Sequence, residues 1–159
     1  MNIEILCVGK LKESYFKQAV AEYDKRLSRY CRLSVFEVAD EKTPDGQSEA
    51  LDEKVRHLEG ERILKHVHEN SHVILLDIGG KMLDSVELSE SLKEYMVTSK
   101  SNIQFIIGGS LGVSEAVRKR ANERISFSRM TFPHQLMRVI LLEQLYRGFK
   151  ILSNEPYHK

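Results

Sequence analysis

The feature that most constrains the fold is a short apolar run, Ile103–Ile107, followed directly by Gly108, Gly109 and Gly112. A run of β-branched and aromatic residues that ends at turn residues predicts a buried strand. Glycine backbone can adopt positive φ and lets another molecule approach closely. Because open α/β sheets bind their ligands at the carboxyl ends of parallel strands, the sequence predicts a binding site at this strand end.

The remaining pattern alternates strands with helices. Strands are predicted over Ile3–Val8, Leu33–Val38, Val73–Ile78 and Ile125–Phe127, the third of them ended by a Gly79–Gly80 turn. Apolar residues at helical spacing predict helices over Lys12–Arg29, Glu49–Glu69, Glu87–Thr98 and Ser114–Asn122, with a loop over Asp40–Ser48. This alternation predicts an α/β fold, a mostly parallel sheet flanked by helices. With no repeat or linker in sight, residues 1–159 are expected to form one domain.

The last helix is more apolar than a surface helix needs to be. The turn segment Ser126–Phe132 precedes it, and Thr131 is expected to cap it, with Pro133 at its first position. At 100° per residue its apolar side chains cover an arc of about 160°, wider than the usual stripe of about 100°. They are Val139, Leu141, Leu142, Leu145, Tyr146 and Phe149. Such a helix is expected to contact both its own sheet and another subunit.

Composition narrows the class of protein. The net charge is +1, but residues 111–159 carry 9 Lys and Arg against 4 Asp and Glu, whereas residues 1–110 carry 15 against 19. This excess indicates either an anionic partner or an ordinary basic helix surface. The two cysteines, Cys7 and Cys31, lack the spacing of a disulfide framework or a zinc site, and no metal is predicted. Without a signal peptide or an apolar run of about 20 residues, we expect a cytoplasmic protein that does not enter a membrane.

The segment Gly108–Gly112 also matches G-x-S-x-G, which would make Ser110 the nucleophile of a small serine hydrolase. That fold needs an acid and then a histidine later in the chain, and only glutamates precede His158 after Ser110. Neither a P-loop nor a G-x-G-x-x-G motif is present. A ligand with an adenosine moiety and no pyrophosphate therefore suits these glycines better. A non-catalytic, dimeric nucleotide-binding module remains a third alternative.

Two further features carry potential chemistry. Arg138 interrupts the apolar last helix, and a buried guanidinium must be paired or must bind an anion. The sequence leaves both possibilities open. The tail Glu155–Lys159 ends in three functional side chains and is stiffened by Pro156, so it is a candidate to close over a neighbouring site.

Taken in order, these motifs resemble the RlmH family of SPOUT-class methyltransferases over the whole chain. The resemblance rests on Val8–Lys12, Phe105–Gly112, Ser126–Gln135, Arg138–Arg147 and Tyr157–Lys159. The one departure is Lys159, where some members carry arginine. Each segment alone is a weak signal, whereas the ordered set is specific to the family.

The resemblance implies a C-terminal trefoil knot, which general folding rules disfavour, and a homodimer. It implies S-adenosylmethionine as cofactor, S-adenosylhomocysteine as product, and no metal. The implied reaction is methylation of N3 of a pseudouridine in helix 69 of 23S ribosomal RNA, with the assembled ribosome as substrate.

The resemblance also assigns residues to roles. The cofactor site would comprise Leu76, Gly108, Phe127, Ser128, Arg129, Met130, Thr131 and Phe132. The catalytic residues would be His158 as proton acceptor, Arg138 as electrostatic support, and Tyr157. Tyr157 and Lys159 would position the nucleotide. Because N3 must lose or share its proton before it attacks, a base near neutral pKa or a positioned cation is expected to help.

Overall fold

A computed structural model describes residues 1–43, 45–98 and 100–157. Within these ranges the chain forms one five-stranded sheet in the order β2-β1-β4-β3-β5, and every paired strand is parallel. The strands are β1 (Asn2–Val8), β2 (Arg32–Val38), β3 (His72–Met82), β4 (Asn102–Ile107) and β5 (Glu123–Ser126). The predicted α/β class with a parallel sheet is confirmed.

Helices cover both faces of this sheet. They are α1 (Ser14–Leu27), α2 (Glu49–Leu64), α3 (Ser85–Val97), α4 (Glu115–Arg120) and α5 (His134–Leu152). Helices α1, α3 and α5 pack together on one face through side chains such as Leu27, Leu92 and Leu145. Helices α2 and α4 cover the other face, where Ile63 and Val117 are fully buried. None of the helices in the described ranges is long and apolar enough to cross a membrane.

The predicted turn at Gly79–Gly80 is wrong, because β3 continues through both glycines to Met82. The register of β3 against β5 shifts between Leu76 and Lys81, so the strand bulges before it pairs again. A Cβ on Gly80 would lie 2.7 Å from backbone atoms of both Arg124 and Ile125. Glycine is needed here for close approach of two strands rather than for a turn.

Helix ends depart from the prediction for identifiable reasons. Helix α3 begins two residues early because Asp84 accepts from the backbone N–H groups of Val86 and Glu87, while Glu87 accepts from the Asp84 N–H. This is a capping box. Thr131 does not cap α5: Pro133 is the N-cap residue, and no side chain makes a capping hydrogen bond there.

Helix α5 contacts the core along only part of its apolar arc. Leu141, Leu142, Leu145 and Phe149 are buried, and the half-buried Tyr146 packs against the same core, whereas Val139 is half-buried and belongs to neither core cluster. The side chains of Leu136, Val139 and Ile140 share the outward face of the helix and belong to neither core cluster. The chain thus leaves an apolar strip on α5 that its own core does not use. The trefoil knot implied by the resemblance stays a prediction.

Candidate active site

A cavity of about 380 Å³ opens beside the bulge of β3 and at the carboxyl ends of β4 and β5. The loops that follow β4 and β5 form its walls, and the first turns of α5 close one side. Its lining includes Leu76–Ile78, Ile107–Val113, Ile125–Ser128, Met130–Phe132, His134 and Met137. Its size lies in the range of small-molecule sites, about 300–1,000 Å³.

The loop after β4, residues 108–112, needs glycine at two of its positions, Gly108 and Gly112. Gly112 has φ +81°, and its N–H donates to the Gly109 carbonyl oxygen at 3.1 Å. A Cβ on Gly108 would lie 2.7 Å from Cγ1 of Val113. We call residues 108–112 the glycine loop. Because two of its glycines have no room or no favourable φ for a side chain, backbone groups make up much of this cavity wall.

The opposite wall is the turn between β5 and α5. The Ser126 hydroxyl donates to the Ser128 carbonyl oxygen at 2.8 Å, and the Met130 N–H donates to Oγ of Ser128 at 2.9 Å. These two bonds fold the turn tightly, as is common for serine side chains in turns. Phe132 and Thr131 then face the cavity from the end of the same turn.

Charged residues stand at the rim. Asp77 has an oxygen 3.5 Å from Nε of Arg118 and 3.4 Å from Nη1 of Arg124. Asp77 and Arg118 line the cavity, whereas Arg124 is exposed beside it. No sequence motif indicated this group, and only the basic bias of residues 111–159 pointed toward its arginines.

His134 lines the cavity from the first turn of α5. A Cβ on Gly9 would lie 3.4 Å from Nε2 of His134, so the ring packs against the end of β1. Burial lowers the pKa of His134 from its usual value, and the nearby positive charge of Arg138 lowers it further. The imidazole is therefore neutral at pH 7.

Arg138 lies outside the cavity, 1% exposed, in the body of the protein. Its guanidinium donates to Oε1 of Glu37 and to the carbonyl oxygen of Gly9. Of the two possibilities that the sequence left open, the structure shows ion pairing within the chain. Arg138 thereby ties α5 to the ends of β1 and β2.

Tyr157 also lies away from the cavity. Its hydroxyl donates to Oε1 of Glu143 at 3.3 Å, its ring meets the Tyr146 ring edge-on at 5.0 Å, and the Arg147 guanidinium lies 4.7 Å above it. Arg147 is also ion-paired with Glu143 at 2.7 Å. We call Glu143, Tyr146, Arg147 and Tyr157 the tail cluster.

Helix geometry separates the tail cluster from the cavity of the same chain. Met137 lines the cavity and Tyr146 belongs to the tail cluster. At 1.5 Å per residue, these two positions are about 13.5 Å apart along α5. The structure therefore holds two separate groups of functional side chains, one at the N-terminal end of α5 and one along its C-terminal half.

The sequence-predicted residues divide accordingly. Those that line the cavity are Leu76, Gly108, Phe127, Ser128, Met130, Thr131 and Phe132. Arg129 is exposed and does not line it. Arg138 and Tyr157 lie elsewhere in the chain, and His158 and Lys159 lie outside the described residues. Sequence reasoning missed Asp77, Arg118 and Met137 as cavity residues.

The alternative chemistries find less support. Ser110 lines the cavity, but in the described ranges no hydrogen bond joins its hydroxyl to an imidazole, as an activated serine requires. The same ranges contain no group of three or more His, Cys, Asp or Glu side chains placed to hold a metal ion.

Comparison with known proteins identifies the family. A family model described as "Predicted SPOUT methyltransferase" matches residues 1–158. The chain is 59% identical to ribosomal RNA large subunit methyltransferase H of Clostridium novyi over 159 residues, which is the full length of both proteins. The chain belongs to the RlmH family of SPOUT methyltransferases. The proteins of the same name from Clostridium kluyveri and from Clostridium botulinum strain Kyoto are each 56% identical to this RlmH-family chain, again over the full length of both.

Solved structures agree on the fold. A probable methylase family protein from Haemophilus influenzae superposes with a TM-score of 0.56 at 16% identity, covering 99% of this chain and 70% of that one. A probable methyltransferase from Bordetella pertussis gives 0.54 at 11% identity, covering 92% and 95%. At these low identities, the similarity to the two solved structures is evidence for the fold of the RlmH-family chain and for nothing else.

Proposed function

We propose that this chain is the S-adenosylmethionine-dependent enzyme that methylates N3 of a pseudouridine in helix 69 of 23S ribosomal RNA. In this proposal it acts as a homodimer on the assembled ribosome, in the cytoplasm. The relatives' shared name, which specifies a large-subunit ribosomal RNA methyltransferase, supports the ribosomal target. The observation that carries the cofactor assignment is the cavity, because residues of three separate segments that the family resemblance assigns to the cofactor meet in it.

The cavity suits an adenosine ligand that carries a sulfonium group. Leu76, Ile107, Phe132 and Met137 supply apolar surface, and the glycine loop supplies backbone donors and acceptors at close range. Open space lies beside the Cα of Gly112, where no atom comes within 4 Å of a built Cβ. Apolar walls with a few convergent polar groups are typical of cofactor sites. S-adenosylmethionine, when bound, supplies an activated methyl group.

The protein's own contribution is alignment and charge stabilisation. The cavity walls hold the methyl donor in one orientation, which removes much of the entropic barrier to an in-line transfer. The target nitrogen must give up its proton, and we assign proton acceptance to His158. Tyr157 and Lys159 position the nucleotide. Arg138, which is buried and paired, acts by holding the strand ends that support His134 at the cavity wall.

A second copy of the chain explains how the tail and the cavity meet. Within one chain Tyr146 of the tail cluster lies about 13.5 Å along α5 from Met137 at the cavity, and Tyr157 does not line the cavity. The outward face of α5 is apolar at Leu136, Val139 and Ile140, and Met130 at the cavity mouth is 71% exposed. Packing two α5 helices face to face would cover this strip and bring the tail of one protomer to the cavity of its partner.

The rim of the cavity suits a polyanionic substrate. Arg118 lines the cavity, Arg124 is paired with the same Asp77 carboxylate as Arg118, and Arg129 is exposed in the turn before α5. Arginine is well suited to phosphate because its planar guanidinium donates two parallel hydrogen bonds. We propose that these arginines contact the RNA backbone next to the target nucleotide.

The test is transfer of a labelled methyl group from S-adenosylmethionine to ribosomes that lack the modification, followed by mapping of the modified nucleotide. The proposal predicts label on N3 of one pseudouridine in the large-subunit RNA, and none on free RNA of the same sequence. Ser110→Ala is expected to retain transfer. Label at another nucleotide, or esterase activity lost with Ser110→Ala, would contradict the assignment.

A further inference from the structure

The buried carboxyl of Glu59 lies behind the glycine loop. Glu59 is on α2, 4% exposed, and its Oε1 accepts from the Glu41 N–H at 3.0 Å. Its Oε2 has no hydrogen-bond partner among the described residues. A Cβ on Gly109 would lie 2.8 Å from this same oxygen. The carboxyl therefore packs directly against the backbone of the loop that forms one wall of the cavity.

Helix α2 packs against the glycine loop and the start of α4 at two consecutive positions. Next to Glu59, Gly60 has so little space that a Cβ there would overlap the Ser114 side chain. Ser114 is buried and caps α4, since its Oγ accepts from the Val117 N–H. Glu59 thus lies against the glycine loop, and Gly60 lies against Ser114, two residues beyond the loop. Any change in the volume or charge at Glu59 reaches the cavity wall directly.

The surroundings of Glu59 disfavour a negative charge. Burial raises the pKa of its carboxyl, and the neighbouring carboxylates of Asp40 and Glu41 raise it further, against the opposing effects of the Glu41 N–H and of Arg62. The Arg62 guanidinium donates to Glu41 and to the Ala39 carbonyl oxygen and makes no hydrogen bond to Glu59. The loop side offers Gly109 and the Val8 side chain, which carry no charge. An ionised Oε2 would be a buried anion without a donor, which is costly.

We infer that Glu59 works in its neutral, protonated form, as a positioning residue that holds the glycine loop in the shape the cofactor needs. Ionisation at higher pH draws water or a donor toward Oε2 and displaces Gly109. The cavity wall moves, and affinity for the cofactor falls. This inference rests on the proposal that the cavity takes S-adenosylmethionine.

The experiment is calorimetric titration of S-adenosylmethionine into the full chain between pH 5 and pH 9. Glu59→Gln keeps the shape of the side chain and the acceptor for the Glu41 N–H but cannot ionise. Glu61→Gln on the same helix, at an exposed position, is the matched control. We expect the affinity of the wild type to fall by about fivefold or more as Glu59 ionises, the control to follow the wild type, and Glu59→Gln to keep the low-pH affinity. The ligand's amine and His134 titrate alike in all three proteins, so the difference isolates Glu59.

Stability gives a second readout that needs no ligand. A carboxyl with a raised pKa in the folded state holds a proton that the unfolded chain has released, so folding weakens as pH rises above its unfolded value of about 4.3. The unfolding free energy of Glu59→Gln minus that of the wild type should therefore grow with pH and level off above the folded pKa. If the variant does not fold, carbon-13 NMR of labelled glutamate in the wild type must show one carboxyl that loses its proton at a higher pH than the exposed glutamates do.

Parallel pH profiles for the wild type and Glu59→Gln would overturn the inference. So would lower affinity of Glu59→Gln at every pH, because the anion would then be the working form. If the wild type binds no S-adenosylmethionine at any pH, the proposed function fails instead.

Discussion

The two ends of helix α5 differ in kind. At its N-terminal end, the cavity is built from backbone and apolar side chains, with the neutral His134 and a few charges on its rim. At its C-terminal end, the tail cluster is aromatic and charged but lies on the surface of its own chain. The N-terminal end has a cavity of ligand size but few groups that could transfer a proton. The tail cluster has such groups but does not line the cavity of its own chain. Under the proposed function, these two groups of residues belong to one site, and a single chain keeps them apart.

The most severe change to the cavity end is expected from Thr131→Trp. Thr131 is exposed and lines the cavity, so an indole there occupies the space without disturbing the core. Affinity for S-adenosylmethionine should fall by about a hundredfold or more, with the unfolding free energy within about 0.5 kcal/mol of the wild type. Thr131→Ser is the control. Unchanged calorimetric affinity in Thr131→Trp would show that the cofactor binds elsewhere.

Arg138→Met tests whether Arg138 stabilises the fold through its buried hydrogen bonds or takes part in the reaction. It leaves the buried Gly9 carbonyl oxygen without its donor and Glu37 without its cation. We expect a loss of about 3 kcal/mol in the free energy of unfolding, measured in urea. Adding Glu37→Gln should recover part of this loss, because the unpaired carboxylate is then gone. A fully stable Arg138→Met protein with no methyl transfer would instead favour a direct catalytic role.

The tail end is addressed by Tyr157→Ala. If Tyr157 positions the nucleotide, kcat should fall by about 10- to 100-fold, while affinity for S-adenosylmethionine stays within about twofold. Tyr157→Phe keeps the ring between Tyr146 and Arg147 and loses only the hydroxyl, so it separates packing from hydrogen bonding. If Tyr157→Ala lost as much affinity for S-adenosylmethionine as Thr131→Trp, the two ends of α5 would not have the separate roles proposed for them.

The smallest effect is expected at the rim. Arg124→Gln removes one of the arginines that Asp77 holds and that we place against RNA phosphate. The KM for ribosomes should rise severalfold, and its logarithmic dependence on salt should flatten by about one unit. Lys93→Gln, on α3 and remote from the cavity lining, is the control. A salt dependence that Arg124→Gln leaves unchanged would remove this arginine from the RNA contact.

The sheet and the cavity were largely predictable, because runs such as Ile103–Ile107 and the glycines after them report buried strands and bare backbone locally. The role of Gly80 was not. Glycine signals a turn and a close approach equally well, and only the position of β5 decides between them. Glu59 was also out of reach, since it sits in the sequence of a highly charged helix and is buried only because α2 packs on the glycine loop.

The tail could not be placed from sequence for a different reason. Tyr157 can be recognised from the family motif Tyr157–Lys159. Its distance from the cavity depends on the length of α5 and, in our proposal, on a second chain. Local pattern carries no information on contacts between subunits beyond an unusually wide apolar face. Of the predicted apolar arc, Val139 belongs to the outward strip, whereas Tyr146 packs against the core of its own chain.

The most direct test of a site shared between protomers is a mixed dimer. Thr131→Trp and Tyr157→Ala proteins, one with an impaired cavity and the other with an impaired tail, are unfolded together, refolded and assayed for methyl transfer to ribosomes. If the tail of one protomer serves the cavity of its partner, each mixed dimer regains one intact site, and random pairing should restore about a quarter of the wild-type rate. A rate no higher than the average of the two variants alone would contradict the shared site and place the tail and cavity within one chain.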